Sequence, residues 1–170
     1  DSSDRSLRQR NYGRTEWLKL YGVLLDKEEP AQELFEKQAD KVKNLENSKN
    51  TGKTVAFFYI NSIGAANVRK SNDYVAKMIE LAGGKYIFDE LGEDDSALST
   101  MNMQMEEFYA GAKDADYIIY NSTIDGELTT IDQLLAKSSL LNDFKAVKNG
   151  NVWCTEQNLF QDTMGLGTMI

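Results

Sequence analysis

The stretch that decides the fold is Thr54-Val55-Ala56-Phe57-Phe58-Tyr59-Ile60, a nearly continuous run of apolar and β-favouring side chains. A half-exposed strand alternates apolar and polar side chains, whereas a strand of a parallel sheet that is covered on both faces does not. Turn-forming residues 47–53 precede the run, and a loop rich in small side chains follows it. The pattern therefore predicts an inner strand of an α/β sheet.

The unit of a strand followed by a helix recurs along the chain. Ser71-Asn72-Asp73 is expected to cap a helix that ends at Gly83-Gly84. Further strands are predicted at 85–88, 116–121 and 152–154, with a helix between each pair. Strands that alternate with helices imply right-handed crossovers. We therefore expect an α/β fold with a parallel, doubly wound sheet of about four to five strands and flanking helices.

A long helical segment precedes the sheet. Apolar side chains recur at helical spacing in two stripes, which predict helices at about 14–26 and 30–47. Pro30 separates the two helices, because proline fits the first turn of a helix and biases the residue before it, Glu29, away from the helical region. The polar residues 1–12 show no such periodicity.

Charge and composition exclude several classes of function. The chain has 170 residues and a formal net charge of -8, and an acidic surface repels the phosphates of nucleic acids and anionic membranes. Histidine is absent, which removes hydrolase mechanisms that depend on an imidazole within this chain. No apolar run approaches the ~20 residues that cross a bilayer, so we expect no transmembrane segment.

No metal site is predicted. The commonest zinc ligand, histidine, is missing. Met101, Met103 and Met105 could present three thioethers to Cu(I), but methionine is a common gap-filler in a core, and packing is the favoured interpretation. The acidic residues of 89–95 are expected to form a solvated loop.

Three loops are expected to carry the functional site, since ligands of open α/β sheets bind beyond the carboxyl ends of the strands. The loops 61–70, 121–126 and 155–161 are rich in amides, hydroxyls and small residues, which let a ligand approach the backbone. The forked guanidinium of Arg69 would suit a carboxylate, a phosphate or a catecholate-like anion, although a surface salt bridge is the competing interpretation. The candidate ligand-binding residues are Tyr59, Asn61, Ser62, Arg69, Asn121, Thr123, Gln157, Phe160 and Gln161.

Two of these candidates are aromatic. Tyr59 and Phe160 could stack on a flat ligand, and a place in the core is the competing interpretation for Tyr59.

Phosphate binding is a separate alternative. Ser62-Ile63-Gly64-Ala65-Ala66 follows a strand but lacks the spacing of a dinucleotide fingerprint and the ending of a P-loop. A flavodoxin-like or nucleotide-using enzyme domain with a phosphate cradle at 61–67 therefore remains the second hypothesis, and the helical lead-in counts against it.

Four segments together resemble a known family. Gly13-Arg14-Thr15-Glu16-Trp17-Leu18-Lys19-Leu20, which leads into a long helix, is similar to the inter-lobe helix of ABC-importer solute-binding proteins of the iron-siderophore, haem and cobalamin type. Residues 73–84, Glu107-Phe108 followed by 115–119, and 147–153 resemble later parts of the same proteins. The resemblance covers nearly the whole chain from residue 13 onward.

The resemblance implies two α/β lobes bridged by one rigid helix, with a ligand held in the cleft between them. Residues 1–12 would be the tail of an N-terminal lobe, 13–50 the inter-lobe helical segment, and 51–170 the C-terminal lobe, cut short at its end. Such proteins have no catalytic residues and no covalently bound cofactor. They deliver a chelate to a membrane permease, which works with an ATPase and whose basic surface grips acidic residues on each lobe.

The same resemblance implies a ligand class and a location. The ligand would be a ferric siderophore, haem or a cobalamin-like molecule. The protein would be extracytoplasmic, either periplasmic or a membrane-anchored lipoprotein, with an export signal outside this sequence.

Overall fold

The computed structural model describes residues 16–46, 49–92 and 98–155. Two compact units divide the chain, one formed by residues 1–48 and 160–170 and the other by residues 49–159. No helix among the described residues is long and apolar enough to cross a membrane.

The first unit contains the two predicted lead-in helices, α1 (Trp17–Leu24) and α2 (Glu28–Glu46). Gly22 allows them to approach closely, because a Cβ at this position would lie 2.6 Å from the Cβ of Ala31. Helix α2 begins two residues before Pro30, so the prediction that Glu29 lies outside the helix is wrong. Proline is tolerated there, since the N–H groups of the first turn have no partner within the helix.

The second unit is a sheet with helices on both faces. Its strands are β1 (Thr54–Ile60), β2 (Ala66–Arg69), β3 (Lys85–Tyr86), β4 (Thr100–Met103), β5 (Tyr117–Tyr120) and β6 (Val152–Cys154). Its helices are α3 (Tyr74–Leu81), α4 (Met105–Ala112), α5 (Ile131–Lys137) and α6 (Lys145–Lys148), with a 3₁₀ turn at Ser139–Asp143 between α5 and α6.

The sheet order is β4-β2-β1-β5-β6, with β3 beside β1. Strand β1 pairs in parallel with β3 and β5, and β5 pairs in parallel with β6. These four strands are the predicted ones, so the open α/β sheet is confirmed. The sheet is not wholly parallel, however, because β2 runs antiparallel to both β1 and β4.

Strand β2 arises from residues that were predicted to form a loop. Only five residues, 61–65, separate β1 from β2, whereas a parallel crossover needs a dozen or more. The chain must therefore reverse and form a hairpin. Across the next pair, the Nδ2 atom of Asn67 in β2 donates a hydrogen bond of 2.7 Å to the Oδ1 atom of Asn102 in β4.

Apolar side chains cover both faces of β1, as its sequence predicts. On one face Phe58 packs against Phe108 of α4, with ring centroids 4.4 Å apart. On the other face Phe57 belongs to a second cluster with residues of α3. The three alternating methionines, Met101, Met103 and Met105, pack in or against the first cluster, which confirms the packing interpretation.

The predicted signals at the ends of α3 are confirmed. Asp73 caps the helix, and its Oδ1 atom accepts a hydrogen bond of 2.9 Å from the N–H group of Val75. After Leu81 the chain turns through Gly83, which has a φ of 81°. A side chain at Gly83 would also collide with the carbonyl oxygen of Lys49, at 2.6 Å from the added Cβ.

Candidate functional site

The ends of three strands converge at the carboxyl edge of the sheet. Phe58 of β1 is in register with Tyr120 of β5, and Tyr120 is in register with Cys154 of β6. The hydrogen bonds continue past the strand ends: the N–H group of Asn121 donates to the carbonyl of Phe58 at 2.8 Å, and that of Thr155 donates to the carbonyl of Tyr120 at 3.0 Å. The segments that follow β1, β5 and β6 therefore begin side by side.

Asn61 organises the turn that follows β1. Its side-chain Oδ1 atom accepts hydrogen bonds from the N–H groups of Ile63, at 3.1 Å, and Ala65, at 3.0 Å. Its carbonyl accepts a third bond, of 2.9 Å, from Gly64, which has a φ of 78°. The turn is thus fixed from within, and it presents Ser62 and Ile63 to solvent.

Asn121 has the equivalent place after β5. It is buried, and its Oδ1 atom accepts hydrogen bonds from the N–H group of Thr123, at 3.2 Å, and from the Thr123 hydroxyl, at 2.8 Å. The next residue, Ser122, is buried as well. Its N–H group donates a hydrogen bond of 3.0 Å to the Oγ1 atom of Thr155, the residue that follows β6. These bonds join the start of the loop 121–126 to the residue that follows β6.

The carboxyl edge brings together four of the predicted site residues: Asn61, Ser62, Asn121 and Thr123. Tyr59 lies in β1 just before this edge, where it is partly buried and packs against the core. The remaining predicted site residues, Gln157, Phe160 and Gln161, lie outside the described residues.

Arg69 is not part of this group, and its predicted place in a strand-end loop is wrong. It is the last residue of β2, and because β2 runs antiparallel to β1, its end points away from the carboxyl edge. The Arg69 side chain is 7% exposed, its guanidinium lies 3.7 Å from a carboxylate oxygen of Asp73, and it lies 5.8 Å from the centroid of the Phe57 ring. This charge therefore lies in the interior of the second unit and not among the strand-end loops.

A different cation reaches the carboxyl edge. The ammonium of Lys137, the last residue of α5, forms an ion pair with Asp125 of the loop 121–126. The same ammonium lies 5.7 Å from the centroid of the Tyr120 ring. The sequence contains no signal for this cluster, because only the packing of α5 on the sheet brings residues 120, 125 and 137 together.

Burial and charge act in opposite directions on Tyr120. Burial raises the pKa of its hydroxyl, while the positive charge of Lys137 lowers it. The hydrogen bond that the Lys137 ammonium donates to the Asp125 carboxylate in turn raises the pKa of Lys137. Lys137 therefore carries a full positive charge at neutral pH, and Tyr120 is a neutral phenol.

Two exposed isoleucines complete the edge. Ile63 is 83% exposed and Ile124 is 62% exposed, each at the tip of one of the polar loops. The edge thus offers amides and hydroxyls together with apolar surface, a combination typical of small-molecule sites. Among the described residues, no three or more His, Cys, Asp or Glu side chains are grouped so that they could hold a metal ion.

Comparison with known proteins establishes the family. The family described as periplasmic binding protein matches residues 4–159 of this sequence. The chain belongs to the periplasmic binding protein family. An uncharacterised lipoprotein of Methanocaldococcus jannaschii is 35% identical over 152 residues, which cover 88% of this chain and 34% of that protein. The chain thus spans about a third of this curated relative.

Solved structures of periplasmic binding proteins share the fold. One is a component of a Fep/Fec-like ferrichrome ABC transporter from Bacillus subtilis, with a TM-score of 0.67 and 20% identity over 91% of this chain and 60% of that one. Another is the periplasmic haem-binding protein HutB of Vibrio cholerae, with a TM-score of 0.62 and 20% identity over 87% of this chain and 59% of that one. The predicted resemblance is therefore confirmed for the family and the fold.

Proposed function

We propose that this protein is the solute-binding component of an ABC importer and that it captures an iron complex or a cobalamin-like molecule at the carboxyl edge of this sheet. The observation that carries the proposal is that the segments after β1, β5 and β6 begin side by side. We call these segments, residues 61–65, 121–126 and Thr155, the rim. Open α/β sheets bind their ligands at this edge. Membership of the periplasmic binding protein family supports the same function.

The chemistry of the rim suits a large amphipathic chelate. Asn61 and Asn121 fix the two loops from within. The hydroxyls of Ser62 and Thr123 would supply hydrogen bonds to a ligand, and Ile63 and Ile124 would supply apolar contact. Ferric siderophores, haem and cobalamins combine both kinds of surface. Structural relatives that bind haem or serve ferrichrome transport add support.

The proposal includes partners and a location. The protein would work outside the cytoplasm and deliver its ligand to a membrane permease and its ATPase, and the lipoprotein relative supports a membrane-anchored form. The net charge of -8 fits docking to a basic permease surface. The protein would be a carrier and not an enzyme, with no covalently bound cofactor.

The geometry of the turn 61–65 disfavours the second hypothesis, an enzyme domain with a phosphate cradle. A cradle needs free backbone N–H groups, but those of Ile63, Gly64 and Ala65 all donate to Asn61. Phosphate-binding loops also lead into the N-terminus of a helix, whereas this turn leads into β2.

Fluorescence titration of the full-length protein tests the proposed function. Trp153 in β6 is 64% exposed and lies close to the rim. We expect saturable quenching by one class among ferric siderophores, haem and cobalamin. The substitution Thr123→Ala should weaken binding about fivefold to tenfold, through the loss of the hydroxyl oxygen as an acceptor and of its bond to Asn121, while Asp143→Asn, far from the rim, should have no effect. Absence of quenching by the whole panel, with a folded protein by circular dichroism, would refute the proposed ligand class.

A further inference from the structure

The rim contains one feature that its neutral amides and hydroxyls do not explain. The described segments 61–65, 121–126 and Thr155 include no lysine or arginine. Lys137 nevertheless brings an ammonium to this place from α5, where it pairs with Asp125. The positive charge of Lys137 at the rim is therefore paired with a carboxylate of the rim loop 121–126.

The two partners of this ion pair differ in how firmly they are held. The Lys137 side chain is 22% exposed and lies over the Tyr120 ring, whereas the Asp125 side chain is 48% exposed. An ammonium within about 6 Å of an aromatic centroid is attracted to the face of the ring. The carboxylate is consequently the partner that can turn into solvent, and the ammonium is the partner that stays in place.

A second observation points to a missing partner at this cluster. The hydroxyl of Tyr120 is buried, and its geometry gives it no hydrogen-bond partner among the described residues. Its polar neighbours are the ammonium of Lys137 and the backbone of Ile60. Buried polar groups nearly always have a hydrogen-bond partner. An oxygen atom that entered between Lys137 and Tyr120 would supply one.

We propose that Lys137 binds an anionic oxygen of the chelate and that Asp125 is an internal competitor which the chelate displaces. This inference rests on the proposed function and adds the ligand chemistry. An exposed ion pair contributes little to stability, so a carboxylate or catecholate oxygen of the ligand can replace Asp125 at small cost. The site then favours chelates with anionic oxygens, and the affinity for them is reduced by the small cost of displacing Asp125.

Charge variants test this inference in the full-length protein. The probes are the ferric complex of a tris-catecholate siderophore, ferric citrate and the neutral ferric complex of a tris-hydroxamate siderophore. We expect Asp125→Asn to tighten binding of the two anionic probes about twofold to fivefold, because the competitor is gone. Lys137→Gln should weaken the same two probes about tenfold or more, and Lys137→Arg should restore part of the affinity. Binding of the neutral probe should change less than about twofold in all three.

A matched ion pair provides the control. Lys148 and Asp143 are joined at 3.1 Å on the same unit, near the start of β6 and thus at the opposite edge of the sheet. The variants Lys148→Gln and Asp143→Asn change the net charge by the same amounts. They should leave all three affinities unchanged, which separates local contact from the general effect of charge.

The possible results distinguish this inference from the proposed function. If wild-type protein binds a probe but Asp125→Asn weakens anionic probes or leaves them unchanged, Asp125 is not a competitor and the inference is wrong. If Lys137→Gln binds anionic probes as well as the wild type, Lys137 is not a ligand contact, again with the proposed function intact. If no chelate, haem or cobalamin binds, both fail. Thermal unfolding of each variant confirms that the protein remains folded.

Discussion

The guanidinium of Arg69 is enclosed by the carboxylate of Asp73 and the face of the Phe57 ring. A buried charge that loses its partner is far more costly than an exposed one. We therefore expect Arg69→Ala to lower the free energy of unfolding by roughly 3 kcal/mol, because the buried carboxylate of Asp73 loses the positive charge beside it. The affinity of the folded protein for its ligand should not change.

Urea denaturation and ligand titration of the same samples check this prediction. Arg69→Lys keeps the charge and is the matched control, which should be less destabilised than Arg69→Ala. A large loss of affinity at unchanged stability would mean that Arg69 contacts the ligand after all.

Asp116, just before β5, shows the effect of several donors on one carboxylate. Its side chain accepts hydrogen bonds from Lys145 at 2.9 Å and from the N–H group of Thr54 at 3.0 Å. The bond from Lys145, followed by that from Thr54, holds the pKa of Asp116 well below its usual range. This carboxylate therefore favours folding only while it is ionised.

The lowered pKa gives a definite pH dependence. The contribution of Asp116 is fully present above its unfolded pKa of about 3.9 and is lost as the pH falls toward the folded value. We expect Asp116→Asn to lower the urea midpoint at pH 7, with a smaller difference from the wild type at pH 3. The exposed Asp143→Asn variant should behave like the wild type at both pH values. An equal difference at pH 7 and pH 3 would show that the ionised carboxylate is not the cause.

At the scale of elements, the hairpin of β1 and β2 depends on Asn61. Its Oδ1 atom accepts two backbone hydrogen bonds that close the turn. Asn61→Ala should cost roughly 1–2 kcal/mol of stability, because two N–H groups lose their acceptor. Asn61→Asp keeps an acceptor oxygen and should cost less. Thermal unfolding of both variants tests this, and an aspartate variant as unstable as the alanine variant would contradict it.

The predictability of each element from sequence depends on its side chains. Strand β1 is a continuous apolar run, and α3 has an aspartate cap and a glycine stop, so both were predictable. Strand β2 was not, because Ala66-Asn67-Val68-Arg69 has the composition of a loop and becomes a strand only by pairing with β1 and β4. Propensity describes local preference, whereas strand pairing is a tertiary effect.

The site was predictable only where local sequence signals mark its residues. Asn61, Ser62, Asn121 and Thr123 follow recognisable strands, and the carboxyl-edge rule then places them together. Arg69 was misplaced because residues 61–70 were predicted to form one loop, whereas Ala66–Arg69 form strand β2. Lys137 ends a helix and carries no local mark of function, so its place beside Tyr120 follows only from the packing of α5.

At the scale of the whole molecule, one aromatic cluster joins the sheet to its helices. Phe108 is fully buried, and its ring lies 4.4 Å from that of Phe58, 5.8 Å from that of Phe88 and 5.6 Å from that of Phe144. Phe108→Ala should cost roughly 3–5 kcal/mol, since it leaves a cavity where β1, α4 and the chain before α6 meet. Phe108→Leu should cost less.

Urea unfolding measures this cost, and ligand titration shows whether it extends to the site. Because Phe108 is fully buried in the core cluster, the affinity of folded Phe108→Leu should equal that of the wild type. A core substitution that altered affinity without altering stability would contradict this expectation.

The central claim is that the ligand binds at the carboxyl edge of the sheet. Hydrogen–deuterium exchange of the full-length protein, with and without a bound ferric chelate, tests it most directly. We predict slower exchange on binding in residues 61–65 and 121–126, and unchanged exchange at the opposite edge in 113–116 and 145–151. Protection of the opposite edge, with no change in 61–65 and 121–126, would contradict the account.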